Sequence, residues 1–581
     1  MTNTMNATCI WRDIRIMVKK YREYYALFFS AIIIALVTGI SLFERGIGGD
    51  VWDLTYHLLR IESVKEALLD GSYPARVNPI FFDGYGYGSS LFYPDIFLIV
   101  PAVMNILGVS LLLSYKLFLL MITVVGTGVN YFALKFLRCN KKCALAGSYI
   151  IMLSTYYLAD VSNRAGLSEY IACIFVPVLA AAIYDYFGCE GKRTWLFGVA
   201  FVGMALCHTI MTFIGLLITV VIFLGMLLIK NKRCLVFEKR RFGRLVLTAL
   251  LSLLITAYYI FPMLEQMISG KFGFNKPWAH IGDFTQPMES FFAPIGLFMN
   301  SAEFGVGIPV LFLLISRVML GKVKNKWADF CLYLGIALLL VMTDIIPWER
   351  LEETALNMIQ FTYRYYPYAL FFLVCGTLGA YTEKEKDGLL KRYVIVVVTL
   401  LAVICGIWQN IHCTNFGTRV PISREYVYAN NHWVGKGEWV PEGVTEEIFN
   451  GQGSGRVVSE DGIPLRWQIK GYNSYSFEVA KDMGRVYEVP LLYYKGYYAQ
   501  ACLDDGTVIH LEVGKSPNGL VKVELPTEIM GTIEVWYKGT MLQNVMNVIS
   551  AVVLLGVLAA GIYELLKNKR KKTDYKCENN A

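Results

Sequence analysis

Charged residues are scarce in this chain of 581 residues. Asp, Glu, Lys and Arg together make up 17% of it and apolar residues 55%, whereas an ordinary soluble domain has roughly 25% charged residues. The apolar residues also fall in blocks about 20 long, the length needed to cross a bilayer core of roughly 30 Å. This composition disfavours a fibrous, disordered or nucleic-acid-binding protein and predicts a polytopic α-helical membrane protein.

Several motifs of well-known enzyme classes are missing. The chain has no Ser/His/Asp grouping, P-loop, zinc-protease motif or haem motif. Cys139 and Cys143 have the spacing of a metal-binding pair, but no second pair or His cluster follows, which disfavours a zinc site. No inverted repeat of the kind found in secondary transporters relates the two halves.

The hydrophobic blocks and basic loops predict about twelve membrane spans with both termini in the cytoplasm. The apolar run from about Tyr24 to Phe43 is too long for a signal-peptide core, so it should remain as an anchor. Block 194–229 is too long for one helix and has basic flanks, which predicts a hairpin of two helices turning near His208. Block 90–108 contains two prolines and is predicted to be an external or re-entrant segment.

The chain is expected to have five parts. They are a cytoplasmic N-terminus (1–22), a transmembrane core (23–411) with a first outer loop (44–90), an extracytoplasmic β-rich domain (412–541), a last transmembrane helix (542–566) and a basic cytoplasmic tail (567–581). The β-sandwich is predicted from period-2 runs at Arg485–Tyr494, Val508–Val513, Leu520–Leu525 and Thr532–Tyr537. Turn signals separate them at Asp505-Gly506 and at Ser516-Pro517-Asn518-Gly519.

The first outer loop carries the strongest candidate for chemistry. Asp50 is a suitable N-cap, and an amphipathic pattern from there to Leu69 predicts a helix. On that helix Asp53, His57 and Arg60 stand at i, i+4 and i+7 and share one face. A carboxylate there can take the proton of an attacking acceptor hydroxyl, and arginines can stabilise a phosphate leaving group. Sugar transfer from a lipid phosphate fits this set; an interfacial helix with solvated charges is the structural alternative.

Further candidates are predicted on the same side of the membrane. Arg164 and Glu169 lie in a tight outer turn, Arg364 lies at the outer mouth of a span, and Arg76 lies in the first outer loop. An arginine beside a membrane entry either binds a lipid phosphate or extends its guanidinium to the interface. His208, at the hairpin tip, is either a hydrogen-bonded structural residue or a ligand.

The Gly84-Tyr85-Gly86-Tyr87-Gly88 segment is rich in glycine but follows no strand, so it is not a nucleotide-binding fingerprint. Its tyrosines suit an interfacial aromatic belt or stacking on a sugar, and the belt is the favoured interpretation.

The order of these motifs resembles that of a known group of bacterial membrane proteins. Matching residues of the first outer loop are Asp53, His57, Arg60, Ile61, Glu62, Gly71, Pro74, Arg76, Gly84–Tyr87, Phe92, Tyr93 and Asp95. Later matches are Arg164-Ala165-Gly166, Glu169, His208, Ile359-Gln360-Phe361, Arg364 and Tyr493–Tyr497. In these motifs the chain is similar to proteins catalogued as 6-pyruvoyl-tetrahydropterin-synthase-related or YfhO-like, which look like members of the GT-C glycosyltransferase superfamily.

The resemblance implies a GT-C-like core and an integral-membrane inverting glycosyltransferase at the outer face of the bacterial cytoplasmic membrane. The donor would be a polyprenyl-phosphate-linked sugar and the acceptor an envelope glycopolymer or glycolipid. Asp53 would be the catalytic base, and Asp50 is a candidate to share that role because Trp52 stands where a small or polar residue is expected.

The expected convergence of acidic and basic residues on the outer face suggests roles for other residues. Arg164 and Arg364 would hold the donor phosphate, and His57 would orient the acceptor or a metal. The substrate-binding set is completed by Arg60, Arg76, Glu169 and His208. Some members of the superfamily use a divalent metal and others do not, so a metal at Asp53 and His57 is left open.

Two other classes of protein remain as alternatives. A transporter or flippase of a lipid-linked envelope precursor fits the number of spans, but the lack of repeats and of mid-span charges disfavours it. A non-catalytic membrane scaffold whose β-domain recruits partners is the other alternative.

Overall fold

The computed structural model describes residues 2–43, 53–292, 305–321, 323–383, 388–414, 424–429, 434–450 and 455–578. Asp50, predicted as an N-cap and as a second acidic residue of the site, lies outside these ranges. The start of the first outer loop lies outside them as well.

The described part of the chain is mainly helical. Its first helices are α1 (Thr2–Phe43), α2 (Leu54–Asp70), α3 (Ser89–Phe92), α4 (Ile99–Ile106), α5 (Leu111–Phe136), α6 (Lys141–Met152), α7 (Thr155–Ser162), α8 (Leu167–Cys173), α9 (Val176–Gly188) and α10 (Trp195–Ala205). They are followed by α11 (Thr209–Leu228), α12 (Lys230–Val236), α13 (Lys239–Ser269), α14 (Ile308–Met319), α15 (Lys326–Val341), α16 (Tyr366–Glu383), α17 (Gly388–Thr414), α18 (Arg424–Ala429), α19 (Glu447–Asn450) and α20 (Met541–Glu578).

Among the described residues, seven helical segments are long and apolar enough to cross a membrane. They are Tyr21–Phe43, Leu111–Phe136, Leu167–Gly188, Thr209–Leu228, Lys239–Ser269, Lys391–Ile411 and Met541–Lys567. An eighth is formed if α6 and α7, which meet at an angle of 44°, count as one broken span. The protein is therefore a multi-pass membrane protein.

The other predicted spans are also helical but shorter. They correspond to α10, α14, α15 and α16, of 11, 12, 16 and 18 residues. Block 194–229 forms two helices, as predicted, because α10 ends at Ala205 and α11 begins at Thr209. His208 is the N-cap of α11, and its Nδ1 accepts a hydrogen bond from the backbone N–H of Met211 at 3.2 Å.

The chain packs as two compact units. Unit 1 contains Met1–Ile61, Leu98–Arg241 and Trp278–Asn430, and unit 2 contains Glu62–Phe97, Phe242–Pro277 and Asn431–Ala581. The predicted domain boundaries and the sidedness of the termini stay predictions.

Helix α16 is the central helix of unit 1. Its residues from Tyr366 to Tyr381 are buried on all sides, which is why the helix is apolar all round instead of amphipathic. It packs closely against α15, where a Cβ added to Gly376 would lie 2.4 Å from the backbone nitrogen of Leu332. Because the glycine permits this close contact, α16 is held in a fixed position against α15. The residues just before its first turn are positioned with it.

Unit 2 contains an antiparallel β-domain before the last helix. Its described strands are β1 (Val457–Ser459), β2 (Pro464–Leu465), β3 (Trp467–Gly471), β4 (Ser474–Val479), β5 (Val486–Leu492), β6 (Tyr497–Leu503), β7 (Val508–Lys515), β8 (Leu520–Glu524) and β9 (Gly531–Tyr537). They pair in the order β2-β1-β5-β8-β7-β6-β9-β4-β3. The alternation that predicted β5, β7, β8 and β9 is confirmed.

Two predicted turns of the β-domain are also confirmed. Gly506 and Gly519 have φ values of +85° and +76°, which residues with a Cβ rarely adopt. Their N–H groups donate to the carbonyls of Leu503 and Ser516 at 2.9 and 3.0 Å. Both turns therefore reverse the chain between neighbouring strands.

The tyrosines of the Gly84–Gly88 segment are buried within unit 2. Tyr85 Oη donates to the carbonyl of Ile448 at 3.2 Å, and Tyr87 Oη accepts from the backbone N–H of Trp439 at 3.2 Å. A Cβ at Gly88 would lie 2.6 Å from the ring of Tyr494. The interpretation of these tyrosines as an aromatic belt or a sugar platform is therefore wrong, because their rings fill the packing between this segment and the β-domain.

Side chains from other elements of unit 2 make hydrogen bonds with backbone groups of α13. Pro262 has no N–H, so the carbonyl of Tyr258 lacks its usual helical donor, and Arg76 Nη2 donates to it at 2.7 Å. One turn earlier, Ser550 Oγ of α20 accepts from the N–H of Tyr258 at 2.8 Å and donates to the carbonyl of Leu254 at 2.9 Å. Arg76 thus replaces the donor that Pro262 lacks, and Ser550 attaches the last helix to α13.

Candidate functional site

The turn between α7 and α8 in unit 1 presents a buried arginine and a buried glutamate. Ala165 in this turn has a φ of +53°, and the N–H of Gly166 donates to the carbonyl of Asp160 at 2.9 Å. Arg164 Nη1 donates to Asp160 Oδ1 at 2.8 Å, one helical turn back along α7. The turn is therefore closed by backbone and side-chain bonds that fix the direction of the Arg164 guanidinium.

Glu169, in the first turn of α8, contacts polar side chains from four parts of the fold. Its Oε2 lies 3.1 Å from Arg164 Nη2, 3.4 Å from Arg364 Nε and 3.7 Å from His208 Nε2. Its Oε1 accepts from the hydroxyl of Tyr156. We call Tyr156, Arg164, Glu169, His208 and Arg364 the Glu169 cluster; Arg364 is the most exposed of its members, at 6%.

Arg364 is held by the segment that precedes α16. Its Nη1 donates to the carbonyl of Ile359 at 2.7 Å and to Gln360 Oε1 at 3.1 Å. Its guanidinium carbon lies 4.7 Å from the centre of the Phe361 ring. No acceptor among the described residues pairs with Nη2 of Arg364.

The start of α2 adjoins the Glu169 cluster. The backbone N–H of Asp53 donates to the carbonyl of Arg164 at 3.1 Å. On the same helix, Arg60 Nη1 donates to Ser168 Oγ at 3.1 Å and to His57 Nδ1 at 3.4 Å. His57 and Arg60 are buried and Asp53 is partly exposed, so Asp53 is a partly exposed acidic residue at the edge of a buried, charged region.

The two histidines of this region are neutral. Burial and the charge of Arg60 lower the pKa of His57 well below its usual value. Burial lowers the pKa of His208 to about 3, although the Glu169 carboxylate opposes the shift. Both Nδ1 atoms accept a hydrogen bond, which requires that they carry no proton.

Arg164, in contrast, remains charged. Burial alone would lower its pKa, but the carboxylates of Glu169 and Asp160 reverse this effect and raise the pKa well above its usual value. In this region the arginines, and not the histidines, therefore carry the positive charge that could bind an anion.

Acidification should destabilise the protein through these histidines. In the unfolded chain each takes up a proton near pH 6.5, whereas in the folded protein burial delays protonation. The unfolded state therefore binds more protons below pH 6.5, and the free energy of unfolding should fall by up to about 1.4 kcal/mol per pH unit for each histidine. Thermal midpoints in detergent, measured between pH 7 and about pH 4.5, test this expectation.

His57→Gln and His208→Gln should each flatten that pH dependence. An unaltered slope in both buried variants would contradict the neutral state inferred for these imidazoles.

A divalent metal does not fit the residues predicted for it. In the described part of the chain, no three His, Cys, Asp or Glu side chains come together in a way that could hold a metal ion. The Nδ1 atom of His57 faces the guanidinium of Arg60 at 3.4 Å, and this charge repels a second cation.

The structure brings together most of the predicted site residues. Unit 1 contains Asp53, His57, Arg60, Arg164, Glu169, His208 and Arg364. Arg76 belongs to unit 2, where its Nη2 also donates to Asn547 Oδ1 at 2.6 Å.

Sequence reasoning missed Tyr156, Asp160, Ser168 and the role of Gln360 beside Arg364. The spacing of Asp160 and Arg164, at i and i+4 near the end of a helix, was an available signal for that pair. Spacing along the chain does not reveal the other three residues, because only the folded structure brings Tyr156, Ser168 and Gln360 into contact with the site.

The helices define a multi-pass membrane protein with a β-domain before its last helix, and comparison with known families identifies the family of the chain. Residues 18–353, more than half of the chain, match the model of DUF6541, a family of unknown function. The chain belongs to this family. The predicted 6-pyruvoyl-tetrahydropterin-synthase-related assignment stays a prediction. No curated protein matches the chain.

Among solved structures, the chain is similar to the arabinofuranosyltransferase AftD from Mycobacteria. Identity is 16% and the TM-score 0.44, over 67% of this chain and 27% of the AftD chain. For a mutant of AftD the identity is 14% and the TM-score 0.44, over 68% of this chain and 28% of that one. The chain therefore spans less than a third of the length of these proteins, and its function has to be argued from its own residues.

Proposed function

We propose that this protein is an integral-membrane inverting glycosyltransferase. It transfers a sugar from a polyprenyl-phosphate donor to an envelope glycopolymer or glycolipid at the outer face of a bacterial cytoplasmic membrane. The observation that carries the proposal is the junction of α2 with the Glu169 cluster, where the partly exposed Asp53 is bonded through its backbone to Arg164 at 3.1 Å. This reaction needs a general base close to a phosphate-binding arginine. The contact between α2 and the α7–α8 turn supports such an arrangement, because it joins the backbone of Asp53 to that of Arg164.

The arginines support the choice of a phosphate-linked donor. The Nη2 group of Arg364 has no acceptor among the described residues, while the rest of its guanidinium is fixed by protein groups. Hydrogen bonds from arginine to phosphate are short and strong because both partners are charged. In a region this well buried they are also worth more than in water.

In the proposed reaction, the acceptor hydroxyl attacks the anomeric carbon from the side opposite the phosphate. The carboxylate of Asp53 takes the hydroxyl proton as the new C–O bond forms. The bond between the anomeric carbon and the phosphate oxygen breaks, and polyprenyl phosphate leaves with the electron pair. Arg364 and Arg164 stabilise the charge that develops on this leaving group.

For Glu169 we propose a positioning role in place of the substrate contact expected from the sequence. Both of its oxygens are already bonded inside the protein, to Tyr156 and to the two arginines. A buried carboxylate in this position compensates the charge of the arginines and fixes their geometry. We therefore assign Glu169 to positioning rather than to substrate contact.

Reconstitution of the full chain in vesicles tests the proposal. A panel of polyprenyl-phosphate sugars is supplied with envelope glycans, and the formation of a new glycosidic bond is measured. Arg364→Ala is expected to reduce transfer by at least about a hundredfold, which is the range found when one donor to the developing charge is removed. The exposed Arg350 provides a matched control, since Arg350→Ala removes the same charge from the surface.

Movement of a lipid-linked sugar across the vesicle membrane without a new glycosidic bond would instead support the transporter alternative. Full activity in Arg364→Ala would rule out the assigned phosphate contact.

A further inference from the structure

Gln360 has a backbone conformation that residues with a side chain rarely adopt. Its φ and ψ are 60° and −46°, and the N–H of Phe361 donates to the carbonyl of Ile359 at 2.7 Å across it. The three residues therefore form a γ-turn with positive φ, which is the strained form of this turn. Strained residues persist where the surrounding structure holds them, and they concentrate at functional sites.

This turn holds one edge of the Arg364 guanidinium. The carbonyl of Ile359 accepts from both Phe361 and Arg364, so the same hydrogen-bonding group closes the turn and binds the arginine. The side chain of Gln360 adds a second acceptor for Nη1 of Arg364 at 3.1 Å. Glu169 binds the Nε atom at 3.4 Å, which leaves Nη2 as the donor that no described residue occupies.

Glycine would adopt the same backbone conformation without strain. It would, however, provide no side chain for Arg364. The combination of an unfavourable backbone conformation and a side chain that bonds a buried arginine is what distinguishes position 360 from an ordinary tight turn.

We infer that Gln360 is a positioning residue for the phosphate of the substrate: its turn and side chain hold Arg364 so that Nη2 is kept for a phosphate oxygen. The inference rests on the proposed function, because it specifies which part of the donor this arginine binds. On this inference, the strained conformation of Gln360 persists because it increases the affinity of the site for phosphate.

The test measures binding of farnesyl phosphate, a short polyprenyl phosphate, to the full chain in detergent, together with the thermal midpoint. Gln360→Gly should raise the thermal midpoint, because it relieves the strain. The same variant should weaken farnesyl phosphate binding by about tenfold, the effect of losing one hydrogen bond to a charged group. Gln360→Ala should weaken binding to a similar extent but lower the thermal midpoint, because alanine loses the hydrogen bond to Arg364 and keeps the strain.

Asn357 provides a control in the same segment. It bonds the N–H of Ile281 at 3.0 Å and has no bond to Arg364, so Asn357→Ala should lower the thermal midpoint without changing phosphate affinity.

The outcomes separate this inference from the proposed function. If Gln360→Gly and Gln360→Ala bind farnesyl phosphate as the wild type does while Arg364→Ala loses binding, the positioning role is overturned and the phosphate site stands. If Arg364→Ala also binds as the wild type does, the phosphate contact fails, and the inference fails with it. A thermal midpoint in Gln360→Gly that is no higher than in Gln360→Ala would show that the turn is not strained and would also overturn it.

Discussion

Asp53→Asn is expected to abolish sugar transfer in a protein that still folds. Asparagine has nearly the same shape but cannot accept the proton of the acceptor hydroxyl, and loss of a general base commonly costs about 10²- to 10⁴-fold in rate. The backbone N–H of Asp53, which bonds the carbonyl of Arg164, is unchanged in this variant. The position of α2 against the α7–α8 turn should therefore be preserved.

The measurement is the rate of glycosidic bond formation in vesicles, with farnesyl phosphate binding as a second readout. Binding should stay within about twofold of wild type, because the arginines that contact the phosphate are untouched. Asp70, exposed at the end of the same helix, gives a matched control, and Asp70→Asn should transfer sugar normally. Near-normal transfer by Asp53→Asn would show that Asp53 is not the general base and would leave Asp50 as the acidic candidate.

Glu169→Gln is expected to produce the largest loss of stability. The substitution removes the negative charge of Glu169, which lies 3.1 Å from Arg164 and 3.4 Å from Arg364, while keeping the size of the side chain. A buried ion pair that loses one partner typically costs about 3–5 kcal/mol, because the remaining charge is uncompensated. The arginines should also lose their fixed geometry, so phosphate binding should fall together with stability.

Thermal midpoints of purified variants check this expectation, and Asp185 supplies the comparison. Asp185 is also a buried carboxylate, but its partner Arg193 is half exposed and can turn to water. Asp185→Asn should therefore cost less than Glu169→Gln. Equal losses for the two variants would mean that Glu169 is an ordinary buried acid without a special relation to the arginines.

Much of the fold could be predicted from the sequence because its signals are local. An apolar block of membrane length, or a period-2 run between turn residues, contains within itself the information for a helix or a strand. The spacing of Asp53, His57 and Arg60 on one helix face is of the same kind. Strands β1 to β4 and β6 were not among the predicted runs, and β1 and β2, of three and two residues, are too short to show a period.

The arrangement around Glu169 could be predicted only in outline. Arg364 is 195 residues from Glu169 along the chain, and no periodicity connects residues that far apart. Phosphate binding by both arginines was expected from their place on the outer face, but nothing indicated that Glu169 would occupy the space between them. The turn at Gln360 was likewise not foreseen, since its residues carry no turn signal such as glycine or proline.

The hydrogen bonds of α13 have a consequence for how the protein is made. Leu254 and Tyr258 emerge from the ribosome long before Ser550, which lies 292 residues beyond Tyr258. In α13 alone, the N–H of Tyr258 and the carbonyl of Leu254 stand one helical turn apart and can bond each other directly. The contacts of Ser550 with both groups form only after the C-terminal helix has been made, so insertion of α13 and its attachment to α20 are separate events in time.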